Sequence, residues 1–454
     1  MLYRKIESVI SSWITDDKRA LLIDGARQVG KTFTIRKVLK VQNCEYIEFN
    51  LLENPSIINL LSKSETVDEM ITSLSLFTDK QFHKGKTFIF FDEIQEFKEL
   101  ATKIKFWVDE GSFRYVLSGS LLGVALKNIK SAPVGYLKTI TMYPLDFEEF
   151  LQLYNFNDDL KKLLYRSFVD KIPLNDSVHT QMLKIFNMYL IVGGMPAAVE
   201  KFKESKNLED VMNIHEDIIA QYKKDFTHYE EEDKRPYLTK IYDLIPAELN
   251  SHNKRFNFAD IKKGLQYSRS ENNFVWLAES GVALPVYNVV EPTIPLMLNE
   301  KSSLFKLFLS DVGMLTTMYG RTTKIKLLSD NEDINNGALY ENVIAQELKA
   351  HNFNLYFYNS KKYGEIDFII EHKGKVLPIE VKSGKNYMRH SALNNVMEIL
   401  NYSIEEAYVL SNYNVEKKGK LTYYPIYMIM FIEEEKAVFP VVDFTDLTSI
   451  KINE

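Results

Sequence analysis

The stretch that most constrains this chain is "ALLIDGARQVGKTFTIRKVLK", from Ala20 to Lys40. Within it Gly25, Ala26, Arg27, Gln28, Val29, Gly30, Lys31 and Thr32 match the pattern G-x-x-x-x-G-K-S/T in full. An apolar strand precedes the loop and a helical run follows it, which is the context the pattern needs in order to bind phosphate. The glycines let backbone N–H groups wrap a phosphate chain, and the helix N-terminus adds the positive end of its dipole. Lys31 is expected to reach the β- and γ-phosphates, and Thr32 to offer its hydroxyl to Mg²⁺.

The surrounding residues extend this site. From residue 1 to about 150, the short apolar runs "ALLID", "EYIEF", "TFIFFD", "RYVLS" and "LKTITM" alternate with helical stretches. That alternation implies a parallel sheet covered on both faces. "TFIFFDEIQ" carries Asp92 and Glu93 at a strand end, where buried strands deliver side chains to a ligand crevice. Asp92 is expected to hold the Mg²⁺ water shell and Glu93 to polarise the attacking water. A carboxylate directly after the metal aspartate marks a hydrolase rather than a kinase or a small GTPase switch. "RYVLSGS" ends in Ser118 and Ser120, either of which could sense the γ-phosphate. ATP and Mg²⁺ are therefore the expected cofactors.

Composition narrows the rest. With 454 residues, and roughly 150 per domain, about three domains are expected, and 45% hydrophobic content supplies their cores. The net charge of -6, from 56 basic and 62 acidic residues, argues against a protein that coats nucleic acid. A single cysteine, Cys44, excludes an internal disulfide framework and a cysteine zinc cluster. No run approaches the ~20 apolar residues of a membrane span. The expectation is a cytoplasmic protein without a membrane partner. The charged break "HYEEEDKRP" (228–236) and the turn-rich "LLSDNEDINNG" (327–337) divide the chain after its first unit. The expected segments are an ATPase core (1–150), a helical lid (151–232) interrupted by "VGGMP", a middle unit (233–325) and an α/β unit (326–454).

The N-terminal half resembles the AAA+-type ATPases of a widespread prokaryotic family whose C-terminal domain has no known function. The resemblance rests on "GARQVGKT", "FIFFDEIQ", "VLSGSLLG", "YPLDFEEFL", "GGMPAAV" and "FLSDVGML", and the C-terminal part resembles the nuclease-like domain that accompanies this ATPase. The order matches over nearly the whole chain. It implies that the helices after residue 150 form a lid on the nucleotide. Many members carry arginine or lysine after the glycine that precedes "PLDFEEF"; Tyr136 stands there in this chain, a departure that bears on hydrolysis rate and subunit coupling.

The middle unit reads as short helices followed by a strand pair, "ALPVYNVVEP", and looks like a winged-helix module. Lys254, Arg255, Lys262, Lys263 and Arg269, with Tyr267 and Trp276, could meet DNA, phosphates first. Equally, these helices could pack between the outer units with their lysines solvated.

"GEIDFIIEHKGKVLPIEVKSGK", from Gly364 to Lys385, reads as a hairpin turning at Gly374. Glu380 and Lys382 are two apart on one strand and share a face, while Ile379 and Val381 occupy the other. One antiparallel register sets Asp367 beside Glu380, and a slip of one residue separates them. On the preceding helix, "LYENVIAQELKAH", both Glu341 and Glu347 share rows with apolar residues. Resemblance to the PD-(D/E)xK nucleases selects Glu341. It implies a Mg²⁺ site made by Glu341, Asp367 and Glu380, with Lys382 orienting water, and DNA as substrate. Alternatives are a solvated sheet face, or an ATP-dependent switch, adaptor or DNA-binding regulator whose C-terminal unit recognises a partner without cleavage. DNA and a second copy of the chain are the candidate partners.

Overall fold

The computed structural model describes residues 2–97, 99–120, 135–229, 235–252, 254–263, 267–328 and 336–434. The breaks expected at 228–236 and 327–337 lie partly outside these residues, as do the side chains of Tyr267 and Arg269. Five strands build the first sheet: β1 (Ala20–Asp24), β2 (Tyr46–Asn50), β3 (Phe88–Asp92), β4 (Arg114–Ser118) and β5 (Leu137–Thr141). Their order is β2-β3-β4-β1-β5 and every pairing is parallel. Successive side chains of a strand point to opposite faces. Accordingly Leu21, Ile23, Phe88 and Phe90 enter one core, with Trp13 and Ile35, while Ala20, Leu22, Ile89 and Phe91 enter another, with Trp107. The sheet is covered on both sides, and β3 is buried along its whole length.

Helices Asp176–Val192 and Pro196–Ser205 meet at the "VGGMP" stretch. Gly193 has φ 68° and leaves the first helix, and Pro196 opens the second. A Cβ on Gly193 would lie 2.3 Å from Asp311 Oδ1. The same Asp311 accepts from Gly194 N at 2.6 Å and from Met314 N at 2.9 Å, capping helix Val312–Met318. "GGMP" and "LSDVG" are thus the two halves of one buried junction.

The second sheet holds β6 (Ala283–Val289), β7 (Glu300–Leu309), β8 (Tyr356–Ser360), β9 (Gly364–His372), β10 (Lys375–Val381), β11 (Ala407–Ser411), β12 (Glu416–Lys418) and β13 (Leu421–Pro425). Its order is β12-β13-β11-β10-β9-β8-β6-β7. The strand pair expected as a wing is therefore not free-standing. It extends the C-terminal sheet through parallel pairing of Tyr287 with Tyr356. The reason is burial: β6 and the end of β7 are apolar on both faces and must be covered on both. Helix Gly337–Ala350 lies against β6, β7 and β10 and is buried from Ala338 to Leu348. Trp276 is 2% exposed and packs edge-on against Phe226 at 5.3 Å, so it belongs to the core. The molecule is an α/β multidomain protein with a parallel-sheet P-loop core and further helical and mixed-sheet units. Among the described residues, no single helix is long and apolar enough to cross a membrane.

Candidate functional site

At the C-terminal edge of the first sheet, Gly25 has φ 131°, and a Cβ there would lie 2.2 Å from the Met142 carbonyl oxygen. Only glycine fits. Gly30, with φ 94°, leads into helix Lys31–Val41 without a capping side chain. Lys31 Nζ donates to the carbonyls of Gly25 (3.0 Å) and Ala26 (2.8 Å). Burial depresses its pKa to about 8, against the pull of Glu93, Asp92 and Asp24. Thr32 Oγ1 donates to both oxygens of Asp92, at 3.1 and 3.0 Å, and Ser118 Oγ donates to the same carboxylate. Hydroxyl and carboxylate oxygens are the hard donors Mg²⁺ takes, so Thr32 and Asp92 fit that ion. Glu93 follows with φ 58°, its carboxylate accepting from the Gln95 amide. The two serines are told apart by their partners: Ser118 touches Asp92, whereas Ser120 accepts from Arg27 Nε at 3.2 Å.

The phosphate loop is braced from several sides. Arg27 Nη1 donates to Asp225 Oδ1 at 2.6 Å, and Tyr222 OH to the Arg27 carbonyl at 3.0 Å, both partners on helix Leu208–Tyr229. Arg4 Nη1 donates to the Val29 carbonyl at 2.9 Å while its Nε bonds Glu149 at 3.0 Å. From the turn before β6, Gly281 comes so close that a Cβ would sit 2.9 Å from Ala26 N. Tyr136 precedes β5 at the opposite end of the sheet, under the Lys105 ammonium at 5.4 Å, and cannot reach this chain's own nucleotide site. Arg27 and Val29 fall in the variable part of the sequence pattern, which gives no sign of these braces.

The C-terminal cluster forms on the face expected. β9 and β10 are antiparallel with Ile379 opposite Phe368, the register that carries Glu380 to Asp367. Asp367 Oδ2 accepts from Val381 N at 2.9 Å, and Lys382 Nζ donates to Glu380 Oε1 at 2.6 Å. Glu341 faces this cluster. Glu347 instead accepts from Phe147 N (3.0 Å) and Tyr189 OH (2.9 Å), toward the ATPase core.

Two lysines change what the cluster can do. Lys306 on β7 is fully buried, with Nζ 2.9 Å from Glu365, 3.2 Å from Glu341 and 3.7 Å from Asp367. Lys254 also bonds Glu341, and Arg255 lies 2.9 Å from Glu365. By sequence both Lys254 and Arg255 are candidate DNA contacts; in the fold both are half-buried and paired with carboxylates of the same chain. Burial alone would raise Glu341, but the charges of Lys306 and Lys254 hold it below the usual carboxylate range. Burial and the neighbouring Asp367 push Glu380 up to about 8. Glu341, Glu365, Asp367 and Glu380 thus face Lys254, Arg255, Lys306 and Lys382, four acidic against four basic side chains, with Glu380 held toward its neutral form. A divalent cation entering such a cluster would add surplus positive charge in a buried place. Among the described residues, no three acidic, histidine or cysteine side chains are arranged to hold a metal ion. The set Glu341, Asp367 and Glu380 does not fit Mg²⁺ in this arrangement. Sequence reasoning missed Lys306, whose signal was a lone charge inside the apolar run "LFKLFL".

Residues 17–151 match a family model described as an AAA domain, and residues 183–325 and 336–429 match two domains of unknown function, DUF8612 and DUF4143. The uncharacterized protein MJ1544 of Methanocaldococcus jannaschii is 24% identical over 416 residues, covering 85% of this chain and 82% of that protein. Among solved structures, the Walker-type ATPase PABY2304 of Pyrococcus abyssi aligns at 17% identity over 70% of this chain and 96% of its own, with a TM-score of 0.40. The Orc1 protein of Aeropyrum pernix, solved in complex with DNA, aligns at 13% identity over 73% of this chain and 93% of its own, with a TM-score of 0.29. The AAA match and the loop geometry together support an AAA-type ATPase domain that binds ATP.

Proposed function

We propose that the chain is an ATP-dependent switch of the cytoplasm, in which the nucleotide state of the P-loop is passed to a nuclease-like C-terminal unit. The observation that carries this reading is that the phosphate loop itself touches both elements that would move. Arg27 holds the lid helix through Asp225, and Ala26 meets the turn before β6. On binding ATP, Lys31 exchanges the carbonyls of Gly25 and Ala26 for phosphate oxygens. Thr32 and Asp92 would hold Mg²⁺, which would neutralise phosphate charge. Glu93 orients the attacking water, and Ser118 fixes the Asp92 carboxylate. Any shift of the loop strains its contacts with Asp225 and Gly281 together.

Hydrogen exchange of the full chain with and without ATP and Mg²⁺ tests this. Altered protection in helix Leu208–Tyr229 and in the turn at 280–283 is expected, and its loss in Lys31→Ala. Tight ATP binding with unchanged exchange at both places refutes the switch.

A second reading is a Mg²⁺-dependent nuclease acting on DNA. It is favoured by the register that sets Asp367 at Glu380, with Lys382 on the latter. It requires Lys306 and Lys254 to leave the carboxylates first. Mg²⁺-dependent cleavage of DNA that disappears in Glu380→Ala and Lys382→Ala supports it; cleavage that persists in them excludes it.

A further inference from the structure

Two residues past Glu93, Gln95 is a polar side chain in an apolar place. It is 4% exposed, and its neighbours Ile94 and Phe97 are about as deeply buried. Glu93 takes a left-handed backbone, φ 58° and ψ 47°, which residues with a side chain rarely adopt. It follows the end of β3 and starts the short 3₁₀ turn Ile94–Glu96. Glu96 N donates to the Glu93 carbonyl at 3.2 Å and Phe97 N to the Ile94 carbonyl at 3.0 Å, which ties the turn. Backbone strain of this kind persists only where the surroundings hold it, and it clusters at functional sites. Here the turn brings the Gln95 amide onto the Glu93 carboxylate, where Nε2 donates to Oε2.

Only half of that amide is engaged. Gln95 Oε1 is buried and meets no hydrogen-bond donor among the described residues. A buried carbonyl oxygen without a donor is costly, so it argues for a partner that arrives during function. Standard amide geometry sets Oε1 roughly 2.3 Å from Nε2. With Nε2 within about 3 Å of the carboxylate, Oε1 lies no more than about 5.3 Å from Glu93 Oε2. One water, at about 2.8 Å from each oxygen, spans that gap. Its two hydrogens would point at the two oxygens and leave its lone pairs facing outward. The place is the right one for an attack on phosphate. Glu93 directly follows Asp92, whose carboxylate meets Thr32 of the phosphate loop at 3.0 and 3.1 Å. Of the neighbouring charges, that of Glu93 also acts most strongly on Lys31.

We propose that Gln95 and Glu93 hold the attacking water together, Glu93 accepting one hydrogen and Gln95 Oε1 the other, with Gln95 Nε2 fixing the carboxylate. This rests on the reading of the N-terminal unit as an ATPase. The water oxygen bonds the γ-phosphorus as the bond from that phosphorus to the bridging oxygen breaks. ADP leaves with that electron pair, and the water's proton passes to Glu93 and on to solvent. The experiment uses the full chain with radiolabelled ATP and Mg²⁺. Single-turnover hydrolysis is measured, and ATP affinity separately by fluorescence titration. Gln95→Met, close in length and unable to donate, should hydrolyse at least about tenfold more slowly, with ATP affinity kept within about twofold. In a Glu93→Gln background, adding Gln95→Met should cost no more than about a further twofold, because residues that hold one water act as a unit. Should Gln95→Met not bind ATP, Gln95→Asn, whose amide is one methylene short, reads the same step. An unchanged rate overturns the proposal, as does a further loss of about tenfold in the Glu93→Gln background, or ATP affinity lost in both Gln95 variants. So does an unaltered protein that binds ATP without hydrolysing it, an outcome that leaves the switch standing. Conversely, hydrolysis that depends on Gln95, with hydrogen exchange unchanged on ATP binding, refutes the switch and keeps this assignment.

Discussion

Replacing Lys306 with methionine removes a buried charge while nearly conserving side-chain length, so the cost it measures is electrostatic. The ammonium lies 2.9 Å from Glu365 and 3.2 Å from Glu341, and it is fully buried. With an effective dielectric of about 20, one such pair at that distance is worth about 5 kcal/mol before desolvation is counted. Removing one partner of a buried pair costs about 3–5 kcal/mol in practice. Lys254 and Arg255 remain on Glu341 and Glu365, which favours the lower figure. About 3 kcal/mol corresponds to roughly 6–12 °C in the melting transition of a unit of this size. The effect also has a pH signature. Without Lys306, the Asp367 carboxyl, already raised by burial and by Glu341, rises further above its unfolded value, and Glu341 loses one of the two cations that hold it low. The folded state then takes up protons as pH falls, so stability is regained in acid and lost as pH rises. Thermal and urea unfolding, followed by circular dichroism at pH 5 and pH 8, should show the deficit larger at pH 8. A shift below about 1 °C at pH 8, or one independent of pH, would refute the assignment of Lys306 as the internal counter-ion.

Three further outcomes follow from the geometry. Because burial holds Lys31 near a pKa of about 8, ATP affinity should fall several-fold between pH 7 and pH 9 in fluorescence titrations, and the fall should vanish in Lys31→Met. Gly193→Ala adds a Cβ 2.3 Å from Asp311 Oδ1 at a backbone φ of 68°, and should cost about 2 kcal/mol or more in thermal denaturation. Asp225→Asn removes the charge from the bond that Arg27 makes to helix Leu208–Tyr229 at 2.6 Å. At about 1.5–3 kcal/mol for such a bond, limited proteolysis of helix Leu208–Tyr229 should quicken roughly tenfold or more in the absence of nucleotide.

The elements legible in the sequence are those whose physics is local. The runs "ALLID", "FIFFD" and "RYVLS" are β1, β3 and β4, because a strand buried on both faces must be apolar throughout. The phosphate loop is readable for a similar reason: two glycines at fixed spacing answer to backbone geometry within eight residues. The carboxylate hairpin is half legible. Its alternation of charge puts Glu380 and Lys382 on one face, and Gly374 marks the turn, but the register is settled by the pairing itself. What sequence could not convey is the partner of each charge. Lys306 is 35 residues from Glu341 along the chain, and Arg27 is 198 from Asp225. Lys254 and Arg255 look like surface charges because the carboxylates they pair with, Glu341 and Glu365, lie far along the chain. The strand pair β6–β7 looks like a wing because its partner, β8, begins only after three more helices.

The eight-stranded sheet has a consequence for how such a chain is inherited. Cutting before residue 326 would strip β6 and β7 from β8, leaving an uncovered strand edge open to pairing with other chains. It would also take away Lys254 and Lys306 and leave Glu341 and Asp367 buried with no opposite charge from that side. The last third of this protein therefore cannot be transplanted as a cassette: recombination that moves it into a new setting has to carry the stretch from about residue 254 onward as one piece.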